Sequence, residues 1–445
     1  MTRHKKVPPF SESALAKRFV DRHGDELRYC AAWSKWLRYD GSCWRTESTH
    51  LAYDLAHAIG REAALEFDEK VAVGLASNHT SAAVVALARA DRRIAATVDQ
   101  WDPNPWALAT LDGIVDLRTG KMRAPDPEEY QTKSTTVMVP DNVHDCPIPT
   151  WLKFLDRIFA GDVDLIAYMQ RVLGYCLTGT TDEHAMFFCY GTGANGKSVF
   201  LSTVAGILGD YQRSAPIETF TVAASERHPT ELAGLRGARL VTAVETEEGR
   251  RWAESRIKAL TGGDTISARF MRQDFFDFKP QFKLIIAGNH KPGLRVVDEA
   301  IRRRFNLIPF AVTIPAAERD GELTEKLKLE WPGILRWMIQ GCLMWQNTGL
   351  CPPRAVADAT DAYLEAEDAF SAWRKARCVL KATGTEKAAT LYASWKAWCE
   401  GEGEKVGSQK RFSQMLARGF DSRRTPHGRE YMGLQLALET RHDGS

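Results

Sequence analysis

Several features that would define a specialised class of protein are missing from this sequence. Its 445 residues contain no apolar run near the ~20 residues that cross a bilayer. The basic start, MTRHKKVPPFSES, is not followed by the apolar segment of a secretory signal. The nine cysteines are scattered without a Cys-x-x-Cys pair, which excludes a zinc ribbon and a disulfide framework. We therefore expect a cytoplasmic chain in a reducing compartment, with no membrane partner.

Charge is nearly balanced overall but not along the chain. Lysine and arginine number 59 and aspartate and glutamate 57, which gives a net charge of +2 and by itself indicates no partner. Residues 371–445, however, carry 14 basic and 8 acidic residues. Such a basic end favours a nucleic acid partner, and a solvated basic surface is the alternative.

The first third of the chain has the pattern of a small α+β domain, which we place at residues 1–140. Ser11 or Ser13 suits the N-cap of a first helix. Turns are predicted at Asp40-Gly41, Asp112-Gly113 and Thr119-Gly120, each between apolar runs. The proline-rich stretch 139–150 is a predicted linker.

The remaining chain divides into a strand–helix region and a helical end. Within 151–350, short buried strands alternate with helical stretches, which predicts a parallel sheet with crossover helices. The strand candidates are residues 185–190, 238–245, 282–288 and 305–312. A connecting helix is predicted over 356–380, a second linker over 381–387, and a C-terminal module over 388–445 with the order helix, helix, strand, turn, strand.

A glycine-rich motif follows the first of these strands. The sequence GTGANGKS at 191–198 matches G-x-x-x-x-G-K-[ST], whose backbone N–H groups surround phosphate oxygens at a helix N-terminus. Lys197 would reach the β- and γ-phosphates and Ser198 would bind Mg²⁺. A chance glycine-rich turn is the alternative. The candidate nucleotide-binding residues are Gly191, Thr192, Gly193, Ala194, Asn195, Gly196, Lys197 and Ser198.

Polar residues that suit phosphate chemistry follow the next strands. Glu245 ends one apolar strand and suits the metal side of the site, with Glu247 as the candidate to orient water and Glu248 third. Asn289 ends the following strand and could contact a γ-phosphate or the attacking water, with a simple Gly-Asn turn as the alternative. Three arginines at 302–304 could serve a neighbouring subunit's nucleotide, or could simply stabilise a helix end. A solvated acidic turn is the alternative for the glutamates.

The order and spacing of these motifs resemble the superfamily 3 helicases, and most closely the phage and plasmid primase-helicase family, which is related to the poxvirus primase-helicase. The resemblance covers most of the chain. It implies a P-loop, AAA+-like α/β core with a parallel sheet, a preceding α+β domain and a following winged-helix module. It is carried by YMQRVLGYCLTGTTDEH (168–184), GTGANGKSVFLSTVAGILGDY (191–211), ETEEGRRWAESRIKALTGGDTISARF (245–270) and FKLIIAGNHKPGLRVVDEAIRRRFNLIPF (282–310).

The resemblance also implies roles for single residues. Glu245 and Glu247 serve hydrolysis, Asn289 senses the γ-phosphate, and Arg304, with Arg303 as the alternate, acts on the adjacent subunit. A hairpin within 266–282 points into a central channel. The implied DNA contacts are Lys258, Arg269, Arg272 and Gln273 near this hairpin, and we add Lys410, Arg411, Arg423 and Arg424 in the C-terminal module. The alternatives are an ordinary exposed turn in place of the hairpin tip, and a C-terminal module that only packs against subunits or a partner.

The function expected from this resemblance is that of an ATP-dependent, Mg²⁺-requiring DNA helicase. It would form a homo-oligomer, expected to be a hexamer, and travel 3′ to 5′ on single-stranded DNA during phage or plasmid replication in a bacterial host cell. The only Asp-x-Asp, at Asp162-Val163-Asp164, suits a helix N-cap better than a primase metal site, so we expect primers to come from a separate primase. A loader without unwinding activity, the helicase part of a primase-helicase, and an unrelated phosphotransferase are the alternatives.

Overall fold

The computed structural model describes residues 8–437, apart from 141–145, 223–229, 246–249, 295–296, 368, 404–405, 418 and 427. The side chains of residues 382, 411 and 414 also lie outside this description. The described chain forms an N-terminal α+β region, a central region around a parallel sheet and a C-terminal module.

The N-terminal region is a mixed unit of helices and short strands, as the sequence predicts. Its elements are α1 (Glu12–His23), β1 (Leu27–Cys30), β2 (Lys35–Tyr39), β3 (Trp44–Thr46), α2 (Leu51–Ala64), α3 (Glu69–Leu75), α4 (Asn78–Ala88) and β4 (Ala95–Ala96). The Ser11 hydroxyl accepts a hydrogen bond from the Ala14 N–H, which confirms Ser11 as the N-cap. The sheet order is β3-β2-β1-β4, in which β1 and β4 are parallel, and the Asp40-Gly41 turn joins β2 to β3 as predicted.

Helices α2 to α4 carry exposed apolar side chains. Leu65 and Val73 are 86% and 67% exposed, and α3 buries none of its residues. Across the described residues, no single helix is long and apolar enough to cross a membrane. The bent pair α3–α4, with 44° between its helices, passes the same test by length and composition only.

A three-stranded antiparallel sheet follows, with its turns at the two predicted positions. Its strands are β5 (Ala107–Ala109), β6 (Ile114–Asp116) and β7 (Lys121–Arg123). Leu108, Val115 and Leu117 are fully buried in the same apolar core as the central helices. These strands therefore pack with the central region, although the sequence-based boundary at residue 140 assigns them to the N-terminal domain.

The central region is built on a five-stranded parallel sheet. Its elements are α5 (Pro149–Ile158), α6 (Val163–Leu177), β8 (Met186–Tyr190), α7 (Lys197–Leu208), β9 (Gln212–Ser214), α8 (Thr230–Ala233), β10 (Leu240–Glu245), α9 (Glu254–Gly262), β11 (Ile266–Ala268), β12 (Phe276–Phe278), β13 (Lys283–Gly288), α10 (Glu299–Arg302), β14 (Phe305–Pro309), α11 (Leu323–Thr348) and α12 (Arg354–Ala366). The sheet order is β14-β8-β13-β10-β9, and every neighbouring pair is parallel. All four predicted strands are confirmed. They are apolar because separate apolar cores cover the two faces of the sheet.

Helices α6 and α11 cross at very short distance on one face of this sheet. A Cβ on Gly174 of α6 would lie 2.0 Å from the backbone nitrogen of Cys342 in α11. A Cβ on Gly341 would lie 2.0 Å from the carbonyl oxygen of Gln170. The Asp162 carboxylate accepts from the Leu165 N–H at 2.9 Å, so Asp162 is the N-cap of α6 that its sequence context predicts.

The C-terminal module begins earlier than the sequence suggests. Its elements are α13 (Ala369–Arg377), β15 (Cys378–Lys387), α14 (Ala388–Glu402), α15 (Gln409–Leu416), β16 (Ser422–Thr425) and β17 (Gly428–Leu436). The single connecting helix over 356–380 and the linker over 381–387 are wrong, because α12 ends at Ala366 and residues 378–387 form a strand paired with β17. Trp373 of α13 is fully buried with Trp395 and Phe412, so the core of the module requires α13. The predicted order after residue 388 is confirmed.

Candidate nucleotide-binding site

A glycine-rich loop joins the end of β8 to the start of α7, at the carboxyl edge of the parallel sheet. A Cβ on Gly191 would lie 2.2 Å from the carbonyl oxygen of Phe310. Gly196 has a φ of 85°, and a Cβ there would lie 2.6 Å from Cγ2 of Ile158. Both positions therefore require glycine. Gly193 has no described atom within 4 Å of its Cβ position, so this part of the loop faces open space.

The loop is held in place by the segment after β14. Asn195 is 3% exposed, and its amide nitrogen donates to the carbonyl oxygens of Thr192 at 2.5 Å and Phe310 at 3.3 Å. The Ile314 N–H donates to the carbonyl oxygen of Ala194 at 2.8 Å. These bonds hold the loop through contacts within the chain.

Lys197 is buried beneath this loop and is only 7% exposed. Its ammonium group donates to the carbonyl oxygen of Gly191 at 2.5 Å and to the side-chain oxygens of Asn195 at 3.1 Å and Asn289 at 3.2 Å. Burial lowers the pKa of Lys197 below its ordinary value. These three partners are neutral oxygens, so the site holds a positive charge that an anion would neutralise.

The ends of three neighbouring strands bring the other predicted polar residues to the same edge. Glu245 at the end of β10 pairs with Gly288 of β13, which pairs in turn with Tyr190 of β8. Glu245 is 1% exposed, and one of its carboxylate oxygens lies 3.6 Å from Nε of Arg250. Asn289 is exposed and directly follows β13. Glu247 and Glu248 lie outside the described residues.

Ser198 and Glu245 are the two predicted metal ligands. Ser198 is exposed in the first turn of α7, and Glu245 ends the strand two positions away in the sheet. No described group of three or more His, Cys, Asp or Glu residues could hold a metal ion. Mg²⁺ in nucleotide sites takes one or two carboxylates together with phosphate oxygens and water. The residues present therefore suit an Mg²⁺ ion that arrives with a phosphate ligand.

The three arginines at 302–304 lie at the opposite edge of the sheet from the loop. The carbonyl oxygen of Arg304 accepts from the N–H of Met186, the first residue of β8, whereas the loop follows the last. Arg304 is 6% exposed and donates to Thr261 Oγ1 at 3.1 Å and to the carbonyl oxygen of Ala300 at 2.8 Å. Burial lowers its pKa. Arg303, by contrast, is exposed.

The predicted hairpin is present, with β11 and β12 as its antiparallel strands. Its tip contains Arg269, Arg272 and Gln273, and the last two are exposed. Lys258 lies on α9 and is bound to Asp298 at 2.5 Å, so its charge is neutralised within the chain. The tip also exposes three apolar residues that were not predicted as functional, although the letters RFMRQDFF contain them.

The C-terminal module separates its predicted DNA contacts into different environments. Lys410 lines a cleft of about 420 Å³ together with Lys387 and Arg429, beside the start of α14. Arg423 donates to the carboxylate of Glu430 at 3.1 and 3.2 Å, whereas Arg424 is exposed. The side chain of Arg411 lies outside the description. Lys387 was missed because its strand had the composition of a linker.

The chain that follows Asn289 is bonded to the end of α12. The Tyr363 hydroxyl donates to the carbonyl oxygen of Pro292. The backbone N–H of Leu294 donates to the carboxylate of Glu367 at 2.8 Å. Glu367 is the C-cap of α12, so the loop after β13 contacts the chain just before the C-terminal module.

Comparison with models of protein families gives two matches. Residues 16–160 match the family described as "D5 N terminal like". Residues 189–304 match a "Family of unknown function (DUF5906)". The second span contains the glycine-rich loop, Glu245 and Asn289.

Curated viral proteins match about half of the chain. It is 29% identical over 232 residues to "Putative helicase L207/L206" of Acanthamoeba polyphaga mimivirus, covering 52% of this chain and 24% of that protein. It is 27% identical over 248 residues to "Putative helicase 022R" of Frog virus 3, covering 50% and 25%. The chain thus spans about a quarter of the length of the curated relatives it matches.

Solved structures with the same fold cover nearly the whole chain. The apo C-terminal region of NrS-1 superposes with a TM-score of 0.51 at 10% identity, over 96% of this chain and 99% of that one. A second structure of this region, spanning residues 305–718 of NrS-1, gives 0.52 at 11% identity over 95% and 99%. At this identity the likeness concerns the fold alone.

The viral matches therefore show that about half of this chain is similar to proteins described as putative helicases. The match over residues 16–160 adds a similarity to the "D5 N terminal like" family for that part of the chain.

Proposed function

We propose that this chain is an ATP-dependent DNA helicase that acts as a ring of identical subunits, in the simplest case a hexamer. The observation that carries the proposal is the buried ammonium group of Lys197. It lies beneath a glycine-rich loop, contacts three neutral oxygens, and shares its edge of the sheet with Glu245 and Asn289. An anion with several oxygens, such as a nucleoside triphosphate, matches this arrangement.

In this proposal each polar residue of the edge has a separate role. The loop N–H groups and Lys197 bind the β- and γ-phosphates, and Asn289 exchanges its contact with Lys197 for one with the γ-phosphate. Ser198 and Glu245 would hold Mg²⁺, whose positive charge stabilises the phosphate oxygens. Glu247 would orient the attacking water.

An arginine from the adjacent subunit completes the proposed site. Arg303 is exposed, at the sheet edge opposite the loop of its own chain, so it can reach only the nucleotide of another subunit. Arg304, the residue that the resemblance favours, is bound to Thr261 and Ala300 inside its own chain. We therefore assign the role in trans to Arg303 and a structural role to Arg304.

DNA would be contacted at two places on the chain. The hairpin formed by β11 and β12 would face a single strand in the channel of the ring, and the C-terminal module would bind the duplex or forked end. The same proposal includes travel from 3′ to 5′, replication of a phage or plasmid as the setting, and a separate primase as a partner.

Mixing of inactive variants tests the shared site. Lys197→Ala and Arg303→Ala subunits are each expected to lose ATPase activity, because an arginine supplied in trans accounts for about 10³–10⁵-fold in related phosphoryl transfer. When the two are mixed in equal amounts, roughly a quarter of the interfaces pair an intact lysine with an intact arginine, so ATPase activity should return to about that fraction of wild type. The matched comparison is a mixture of Lys197→Ala with Arg304→Ala, in which Arg304→Ala replaces Arg303→Ala.

Two results would contradict the proposal. One is no recovery in the mixture although each variant still assembles, and the other is a monomer that turns over fully without a response to DNA. Strand displacement measured with ATP and with a non-hydrolysable analogue then separates a helicase from a loader that uses ATP only to remodel a partner.

A further inference from the structure

The tip of the β11–β12 hairpin exposes three large apolar side chains. Contacts with phosphate would not require them. Phe270, Met271 and Phe275 are 41%, 70% and 58% exposed. The base of the same hairpin is buried, with Ala268 at 0% and Phe278 at 7% exposure. Clustered exposed apolar groups of this size typically mark a surface that binds something.

The conformation of the tip is fixed by a tight turn. The Gln273 N–H donates to the carbonyl oxygen of Phe270 at 3.2 Å, which places Met271 and Arg272 at the centre of the turn. Arg272 has a φ of 61°, in the left-handed region. The hairpin therefore presents its side chains in a defined geometry.

Aromatic rings continue from the base of the hairpin to its tip. The ring of Phe276 lies 6.1 Å from that of Phe278 and 5.8 Å from that of Phe270. The guanidinium of Arg269 lies 4.6 Å from the Phe275 ring. Contacts of this kind hold a ring in place and leave its other face open to a second planar group.

The hairpin tip carries charges of both signs, so its aromatic rings are its main feature. Arg269 and Arg272 are opposed by Asp274 at the tip and by Asp277 on β12. A surface that gripped only phosphates would be expected to carry an excess of cations. Two rings, a methionine and a balanced set of charges instead match a nucleobase next to its phosphate.

We infer that the hairpin tip binds single-stranded DNA by stacking on its bases. Phe270 and Phe275 provide the stacking faces, Met271 packs beside them and Arg272 contacts the adjacent phosphate. Such binding tolerates any sequence because every base has a π-face. The inference rests on the proposed helicase function and specifies which part of the DNA the hairpin contacts.

Abasic DNA distinguishes a base contact from a phosphate contact. Binding of a labelled oligothymidylate and of an abasic oligonucleotide of equal length would be measured by fluorescence anisotropy, together with the ATPase stimulation by each. Wild type is expected to bind the abasic strand about tenfold more weakly. The double variant Phe270→Ala/Phe275→Ala should bind both strands equally and weakly, and Phe275→Leu, which keeps an apolar side chain in the fold, should lose part of the difference. Arg272→Ala should weaken both strands by the same factor.

The matched control is Leu65→Ala/Val73→Ala, which removes exposed apolar groups from the N-terminal helices and should preserve the tenfold ratio. Equal binding and equal stimulation by the two strands in wild type would overturn the inference and leave the proposed function intact. A double variant that changes the mass of the assembly and keeps the wild-type ratio would overturn it in favour of a contact between copies. Wild type that responds to neither strand would overturn the inference and the proposed function together.

Discussion

Among single residues, a lysine far from the candidate site is the most deeply buried amine of the central sheet. Lys283 at the start of β13 is 1% exposed. Its ammonium group donates to the carbonyl oxygens of Thr178 at 2.5 Å, Thr180 at 3.2 Å and Gln281 at 3.3 Å. It thereby provides a donor for the chain just after α6, where a helix leaves carbonyl groups without partners.

The buried position of Lys283 predicts a dependence of stability on pH. Burial lowers its pKa to about 7, whereas an unfolded chain keeps lysine protonated to about pH 10. The unfolded state therefore binds more protons between these values, and the free energy of unfolding rises with pH by at most about 1.4 kcal/mol per unit. Urea titrations measure this as the free energy of unfolding of wild type minus that of Lys283→Met. This difference should rise at up to about the same rate from pH 7 to 8.5.

Lys279→Met is the matched control for this measurement, because Lys279 is exposed four residues earlier in the chain. The difference in the free energy of unfolding between wild type and Lys279→Met should stay constant over the same pH range. A flat difference for Lys283→Met as well would show that the buried amine keeps its proton in the folded state.

The positions that the sequence could place are those fixed by a local motif. Lys197 and Asn289 are hydrogen-bonded, and Glu245 lies at the same edge of the sheet. The spacing implies this shared edge, because parallel strands end together there. Lys258 and Arg304 are different, since their partners Asp298 and Thr261 lie about 40 residues away in the chain. Only the tertiary structure shows that these two charged groups already have partners within the protein.

Among the helices, the crossing of α6 and α11 depends on glycine. Alanine normally stabilises a helix relative to glycine by about 1 kcal/mol. At Gly341 the added methyl would lie 2.0 Å from a backbone oxygen of α6, which no side-chain rotation can relieve. We expect Gly341→Ala to lower the free energy of unfolding by about 1–3 kcal/mol, because overpacking exceeds the gain in helix propensity.

The control for this prediction is Gly401→Ala in α14. No described atom lies within 4 Å of the Cβ position of Gly401, so propensity alone should act and stability should rise slightly. Both variants can be compared by thermal or urea unfolding. A stabilised Gly341→Ala would mean that the two helices separate at little cost.

Elements with a strong periodic pattern were predictable, and the exceptions have physical reasons. The strands of the parallel sheet are continuous apolar runs because both faces are covered, so they stand out in the sequence. Strand β15 is different, because VLKATGTEK contains the small and polar residues of a linker. Its conformation comes from pairing with β17, which follows it by about 50 residues.

At the scale of the whole molecule, the excess of positive charge lies in the last segment of the chain. Lys387, Lys410 and Arg429 meet at the cleft beside α14, although they come from three different elements. Replacement of any one of them by alanine should lower the slope of log affinity against log salt concentration by about 0.9 for a duplex, the value for one lost phosphate contact. Anisotropy titrations of a forked DNA at several salt concentrations measure this slope.

Arg423→Ala provides the comparison, since Glu430 already neutralises Arg423. Its effect on the slope should be smaller than that of the three cleft residues. Unchanged slopes for all four variants would instead favour a module that only packs against other subunits.

The division into regions followed from the sequence, but the boundaries did not. Residues 107–123 share a core with the central helices, and α13 shares one with the C-terminal module. Composition marks linkers by proline and glycine, whereas packing decides which residues move together.

The bonds between the loop after β13 and the end of α12 have a mechanical consequence. Asn289 is held by Lys197, and only five residues later the N–H of Leu294 is held by Glu367. If Lys197 binds a phosphate as proposed, Asn289 loses this partner, while Leu294 remains bonded to the C-cap of α12. A change at Asn289 would therefore reach the end of α12 through a segment of only five residues.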